Sequence, residues 1–162
     1  MLQPIKSTLD RALELLTFVL IVASALLLGV YYNQLPEHVP LYFNWPSKDA
    51  NGLGAKDLLW TNPLLFGVIA VGLHQLLKHP SLFNYPTRIT HENARFYYTQ
   101  FTRMFRWLGL VLALLCFCLT LASVVNGLGN PTDFDPWLYP LFPILLVGVP
   151  GVFLVKVIGN RF

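Results

Sequence analysis

Charged residues divide the chain into four long uncharged stretches. Leu15 to Pro36 lies between Glu14 and Glu37, Leu58 to Leu77 between Asp57 and Lys78, and Pro136 to Val155 between Asp135 and Lys156. A fourth stretch opens at Trp107, and its apolar part ends near Val125. A helix needs roughly 20 apolar residues to cross a bilayer core. The pattern therefore predicts spans at about 13–34, 58–77, 107–125 and 137–155. Lys6 and Arg11 precede the first stretch as basic residues precede a secretory signal. Its apolar run continues past Ala25 to Tyr32, longer than the roughly 7–15 residues of a cleaved signal core, so it reads as a retained span.

Local signals sharpen the ends. Asp135 followed by Pro136 supplies a cap and a first-turn proline for span four. Thr90 can cap the helix that leads into span three, with Glu92 near its positive end. That helix is predicted to start near His91 and run to about Val125, with 91–106 as an interfacial extension. Its mixture of Arg95, Phe96, Tyr97, Tyr98, Phe101, Arg103, Phe105, Arg106 and Trp107 suits a helix end among lipid headgroups, or a docking surface for a partner. Pro140, Pro143 and Pro150, with Gly148 and Gly151, predict a bent fourth helix packed against the other three.

Composition narrows the class. The 162 residues are 55% hydrophobic and only 12% charged, about half the charge of an ordinary soluble domain. A chain this short cannot hide so much apolar surface in a soluble core. A disordered chain, a nucleic-acid-binding domain and a typical soluble enzyme are excluded. Lys6, Arg11, Lys78, Arg88, Arg95, Arg103, Arg106, Lys156 and Arg161 fall on one side of the four-span arrangement, and only Lys48 and Lys56 on the other. The nine-to-two split predicts both termini in the cytoplasm and a multi-pass protein of the cytoplasmic membrane.

The spans as drawn contain no Asp, Glu, Lys or Arg after Glu14, which argues against ion or proton transport. His74 reads as a helix-end residue, and no second histidine at similar depth would make a haem site. Cys116 and Cys118 face opposite sides of a helix and cannot bridge each other. Glu37, His38, Asp49 and Asp57 match no standard zinc spacing. Phosphate-loop, HExxH and GxSxG motifs are missing. The expectation is a non-enzymatic protein without metal or cofactor.

The loop from Leu35 to Trp60 carries more information. Pro36 and Pro40 favour extended chain before them, Val39 to Asn44 reads as a short strand, and Asn51-Gly52 is a turn pair. A small hairpin capping the outer face of the bundle is predicted, seated on the membrane by Tyr42, Phe43, Trp45 and Trp60.

Leu35, Pro36, Val39, Pro40, Phe43 and Asn44, then Gly54 and Lys56 before a second span, form a pattern that resembles a bacterial membrane domain. That domain of unknown function forms the N-terminal part of SdpI-type bacteriocin immunity proteins. Asn84, Tyr85 and Pro86, followed by Ile89, Thr90, Glu92 and Asn93, are similar to a second stretch of that family. The resemblance covers about residues 10–125. Tyr42 stands where the family usually has a histidine, Ser47 stands near a usual glycine, and the turn is one residue longer. The resemblance implies a non-catalytic cytoplasmic-membrane protein whose best-known relatives protect against a secreted toxin and pass a signal.

The candidate binding or structural residues are thus Pro36, Pro40, Phe43, Asn44, Gly54, Lys56, Asn84, Tyr85, Pro86, Thr90, Glu92 and Asn93. The expected role is an accessory or scaffolding subunit that binds and stabilises a larger membrane assembly. The alternatives are immunity-type recognition of a secreted peptide at the outer loop, and a small transporter. The partners expected are the bilayer and another membrane protein, with no nucleic acid.

Overall fold

The computed structural model describes residues 6–41, 52–86, 88–130 and 135–159. Four helices dominate: α1 (Thr8–Tyr31), α2 (Thr61–Leu76), α3 (Ala94–Gly127) and α4 (Asp135–Gly159). Four helical stretches, Thr8–Gln34, Lys56–Leu76, Ala94–Gly127 and Pro140–Gly159, are long and apolar enough to cross a membrane. Between α1 and α2, strand β1 (His38–Pro40) pairs antiparallel with β2 (Leu53–Ala55), Val39 opposite Gly54.

Helix α1 begins five residues before the predicted start of its span. Ser7 caps it, its hydroxyl accepting from the Asp10 amide while the Asp10 carboxylate accepts from the Ser7 amide at 2.8 Å. This reciprocal pair satisfies amides that a helix start leaves open, and it carries Asp10 and Glu14 into the helix. The charge-free boundary drawn at Leu15 is thereby corrected.

Along α1, Asp10, Glu14, Thr17, Ile21, Ser24 and Leu28 are spaced alternately four and three residues apart. Their partners on α3 keep step. Asp10 meets Arg103, Glu14 meets Arg106, Thr17 meets Gly109, Ile21 packs with Ala113 and Ser24 meets Cys116. A separation that stays at 92 or 93 residues means that α1 and α3 run parallel, with the heptad spacing of a left-handed seam. Small side chains on the seam let the two backbones approach. Thr17 and Ser24 donate to the carbonyls of Leu13 and Leu20, both at 2.8 Å, so their hydroxyls are satisfied within their own helix.

Helix α2 runs opposite to α1. Trp60 sits against Gly29, Ile21 against Gly67, and Phe18 edge-on to His74 with ring centroids 5.8 Å apart. Helix α3 is the centre of the bundle. Over its most apolar stretch 56% of it is buried, against 11% for α4. Helix α4 packs chiefly on α3, through Val149, Phe153 and Val157 beside Tyr97, Phe101 and Met104. The expected packing of span four against all three other helices is corrected accordingly.

Two further expectations change. Helix α3 begins at Ala94, three residues after the predicted start. Its first half is no headgroup-only extension, since Tyr97, Phe101, Met104 and Arg106 are buried within the protein. The strand predicted at Val39–Asn44 is His38–Pro40; 42–51 lies outside the described residues.

Candidate functional site

The predicted site residues separate into two groups at opposite ends of α3. The first surrounds the strand pair. Leu35, Val39, Leu41, Leu59, Leu28 and Val124 form an apolar cluster that fixes β1 on the last turns of α1 and α3. Gly54 is buried opposite Val39, and a β-carbon there would collide with the Leu41 side chain. A β-carbon on Gly127 would come within 2.8 Å of Leu35 and 3.2 Å of Val39. Lys56 reaches Glu37 at 3.0 Å and lies 5.1 Å from the Tyr32 ring, while the Tyr32 hydroxyl donates to Asp57. Pro36 is exposed and Pro40 ends β1 half-buried. Phe43 and Asn44 lie outside the described residues.

The second group forms the elbow between α2 and α3. Asn93 holds it: its side-chain oxygen accepts from the Thr90 amide at 2.8 Å, and its side-chain nitrogen donates to the Arg88 carbonyl at 3.1 Å. The Asn93 amide reaches the Thr90 hydroxyl at 3.4 Å. Tyr85 donates to the Pro80 carbonyl at 2.6 Å and stacks among Phe83, Tyr97, Tyr98 and Phe101. Burial, with Tyr98 nearby, pushes the Tyr85 phenol above its ordinary range. Asn84, Pro86 and Glu92 are exposed. Tyr85 and Gly127 are placed at the two ends of a 34-residue helix, about 50 Å long at 1.5 Å per residue. One binding site cannot use both groups together.

The densest chemistry lies elsewhere, in residues that the reading of the spans left as flanks. Asp10 is fully buried and accepts from Arg103 Nε at 3.1 Å and Nη2 at 3.3 Å, with Arg106 Nη1 at 3.6 Å. Glu14 accepts from Arg106 Nε at 2.7 Å and from Lys6 Nζ at 2.6 Å. Arg106 is itself buried, at 6% exposure. The network joins three cations, Lys6, Arg103 and Arg106, to two carboxylates, and so carries a surplus positive charge. Single ions at this depth would be prohibitive, and the mutual pairing makes them tolerable.

His74 stands beside the network, its Nδ1 3.9 Å from Glu14 and without a hydrogen bond among the described residues. With Glu14, Arg106, Phe18, Leu73 and Leu77 it lines a narrow cleft of about 20 Å³ between α1, α2 and α3. A helix-end reading of His74 misses this setting. The sequence signal that could have found it is the four-three spacing of Asp10, Glu14 and Thr17 with the seam below them.

These features define a helical membrane protein of four candidate spans, with charge pairing at one end of its central seam. No protein-family model matches the chain, and neither a curated protein nor a solved structure matches it.

Proposed function

We propose that the chain is a non-enzymatic protein of the cytoplasmic membrane, with both termini cytoplasmic, that binds and stabilises a larger membrane assembly. One observation carries this reading: α4 is a complete apolar span that leaves most of its own surface uncovered. Trp137, Ile144, Val147 and Val155 are each more than 60% exposed. Among the described residues, a β-carbon on Gly148 or Gly151 would meet nothing within 4 Å. Such a helix, held on α3 along one side and bare on the other, suits close approach by another protein's span.

The test is co-purification in mild detergent. Gly148→Leu adds bulk to open surface, so its folded yield should equal that of the parent, while a stoichiometric membrane partner should be lost. Partner retention unchanged by Gly148→Leu, or no partner at all, refutes the reading.

The second reading, recognition of a secreted peptide as in the immunity proteins the chain resembles, draws on the fixed strand pair. Exposed Glu37 and Asp57, with Lys56 and Tyr32 between them, form a polar surface held on a rigid base. Toxin protection that Lys56→Ala abolishes at normal yield would favour it over the first.

A further inference from the structure

We propose that the cleft beside His74 is the binding site of a single ordered water molecule, which hydrogen-bonds α2 to the Glu14–Arg106 pair on the seam of α1 and α3. Three observations meet there.

The first is size. The cleft bordered by Thr17, Leu73, His74 and Gly109 measures about 20 Å³. A cavity of roughly 10–15 Å³ already holds one water, so this cleft admits one molecule and excludes larger ligands. Gly109 leaves the room. A β-carbon on it would come within 3.8 Å of Leu73 and 3.9 Å of Thr17, and both residues line the same cleft.

The second is an unmet atom. The His74 side chain is 34% exposed, yet its Nδ1 is buried and has no partner among the described residues. Protein interiors rarely leave such an atom unpaired, because the hydration it loses is not returned. Glu14 Oε2 lies 3.9 Å from Nδ1, too far for a direct bond. Two hydrogen bonds of about 2.8 Å that meet at a water, close to a right angle, span this distance.

The third is the match of donors and acceptors. The Glu14 carboxylate accepts from Lys6 and Arg106 and has further lone pairs to offer. Arg106 can only donate. Its Nε serves Glu14 and its Nη1 faces Asp10, which leaves N–H groups on the same guanidinium, and Arg106 lines the cleft. A water between them donates one proton to Glu14 and accepts from Arg106. Its second proton goes to His74 Nδ1, so Nδ1 is the bare nitrogen of the ring and Nε2 carries the proton. Three partners are the usual complement of an internal water. His74 stands in the last turn of α2, and the water is thus a polar joint between that helix and the charge network.

The full chain, carrying isotope-labelled histidine, is reconstituted in lipid bilayers, and magnetisation transfer from water to the imidazole nitrogens is recorded by NMR. His74→Phe identifies the signals of this ring by their loss. The parent should show an unprotonated Nδ1 in contact with a water that exchanges slowly with the bulk. A protonated Nδ1, or no such contact, refutes the site. Gly109→Ala places a methyl group in the cleft at ordinary contact distance, so the contact should vanish. A contact that survives this substitution means bulk water at the exposed edge of the ring, and overturns the enclosed site. Thermal midpoints in mild detergent give a second readout. Gly109→Ala should lower the midpoint of the parent, because Nδ1 loses its partner. In a His74→Phe chain, which has no nitrogen to satisfy, the same substitution should not lower it. An equal fall in both backgrounds attributes the loss to crowding and refutes the water.

Discussion

Asp10 and Lys56 both sit in ion pairs, yet burial makes them very different residues. Lys56 pairs with a Glu37 side chain that is 82% exposed, and such pairs contribute at most about 1 kcal/mol. Asp10 is wholly enclosed, and Arg106, which serves both Asp10 and Glu14, is nearly so. Arg106→Leu leaves two carboxylates short of a donor and should cost about 3–5 kcal/mol. Lys56→Met should cost under about 1 kcal/mol. Denaturant titration in mild detergent measures both, and equal small losses would contradict the network's role. Tyr85 gives a pH-dependent counterpart. Its phenol is raised in the folded state, so folding favours the protonated form. The resulting stability is complete below the ordinary tyrosine value near 10 and declines as pH rises above it. Tyr85→Phe should lose about 1 kcal/mol at neutral pH with its bond to Pro80, and then fall less steeply than the parent above pH ~10. Parallel curves would refute the assignment.

Among the elements, the strand pair depends on one absent side chain. The Leu41 side chain occupies the position that a Gly54 β-carbon would need, so Gly54→Ala should destabilise by about 1–3 kcal/mol. Leu41→Ala in the same chain should recover part of that loss, because it removes the obstructing atoms; a double variant as unstable as the sum of the singles would disprove the collision. The sequence identified the residue but not the reason: Gly54 stood out through a resemblance, whereas its constraint comes from Leu41, thirteen positions earlier. The four long apolar helices were legible because hydrophobic run length is a local property. The starts of α1 and α3 were less so. Counting from the nearest charge left Asp10 outside the first span and Arg103 and Arg106 in an interfacial extension, and only a pairing across 92 or 93 residues brings them inside. Likewise, Thr17, Ser24 and Gly109 read as members of apolar runs until their heptad register is known. Asn93, one of the residues named for the elbow, holds the turn through Thr90 and Arg88.

At the scale of the whole molecule, the parallel seam and the elbow bring the basic residues to one end. Lys6, Arg103 and Arg106 meet in the charge network, and Arg88 and Arg95 lie in the elbow and first turn of α3 beside it. At the strand-pair end, described Lys56 is accompanied by Glu37 and Asp57. Membrane insertion retains lysine- and arginine-rich segments on the cytoplasmic side, so this asymmetry predicts a direction for the bundle. His38, exposed on β1, and Ser81, exposed in the elbow, report the two ends. In a chain with Cys116→Ala and Cys118→Ala, His38→Cys should react with a membrane-impermeant thiol reagent on intact cells. Ser81→Cys should react only after the cells are opened. The reverse pattern would invert the molecule and put the Lys6–Arg106 network on the outer face. Labelling of both from outside would remove α2 as a span, and with it the four-span arrangement itself.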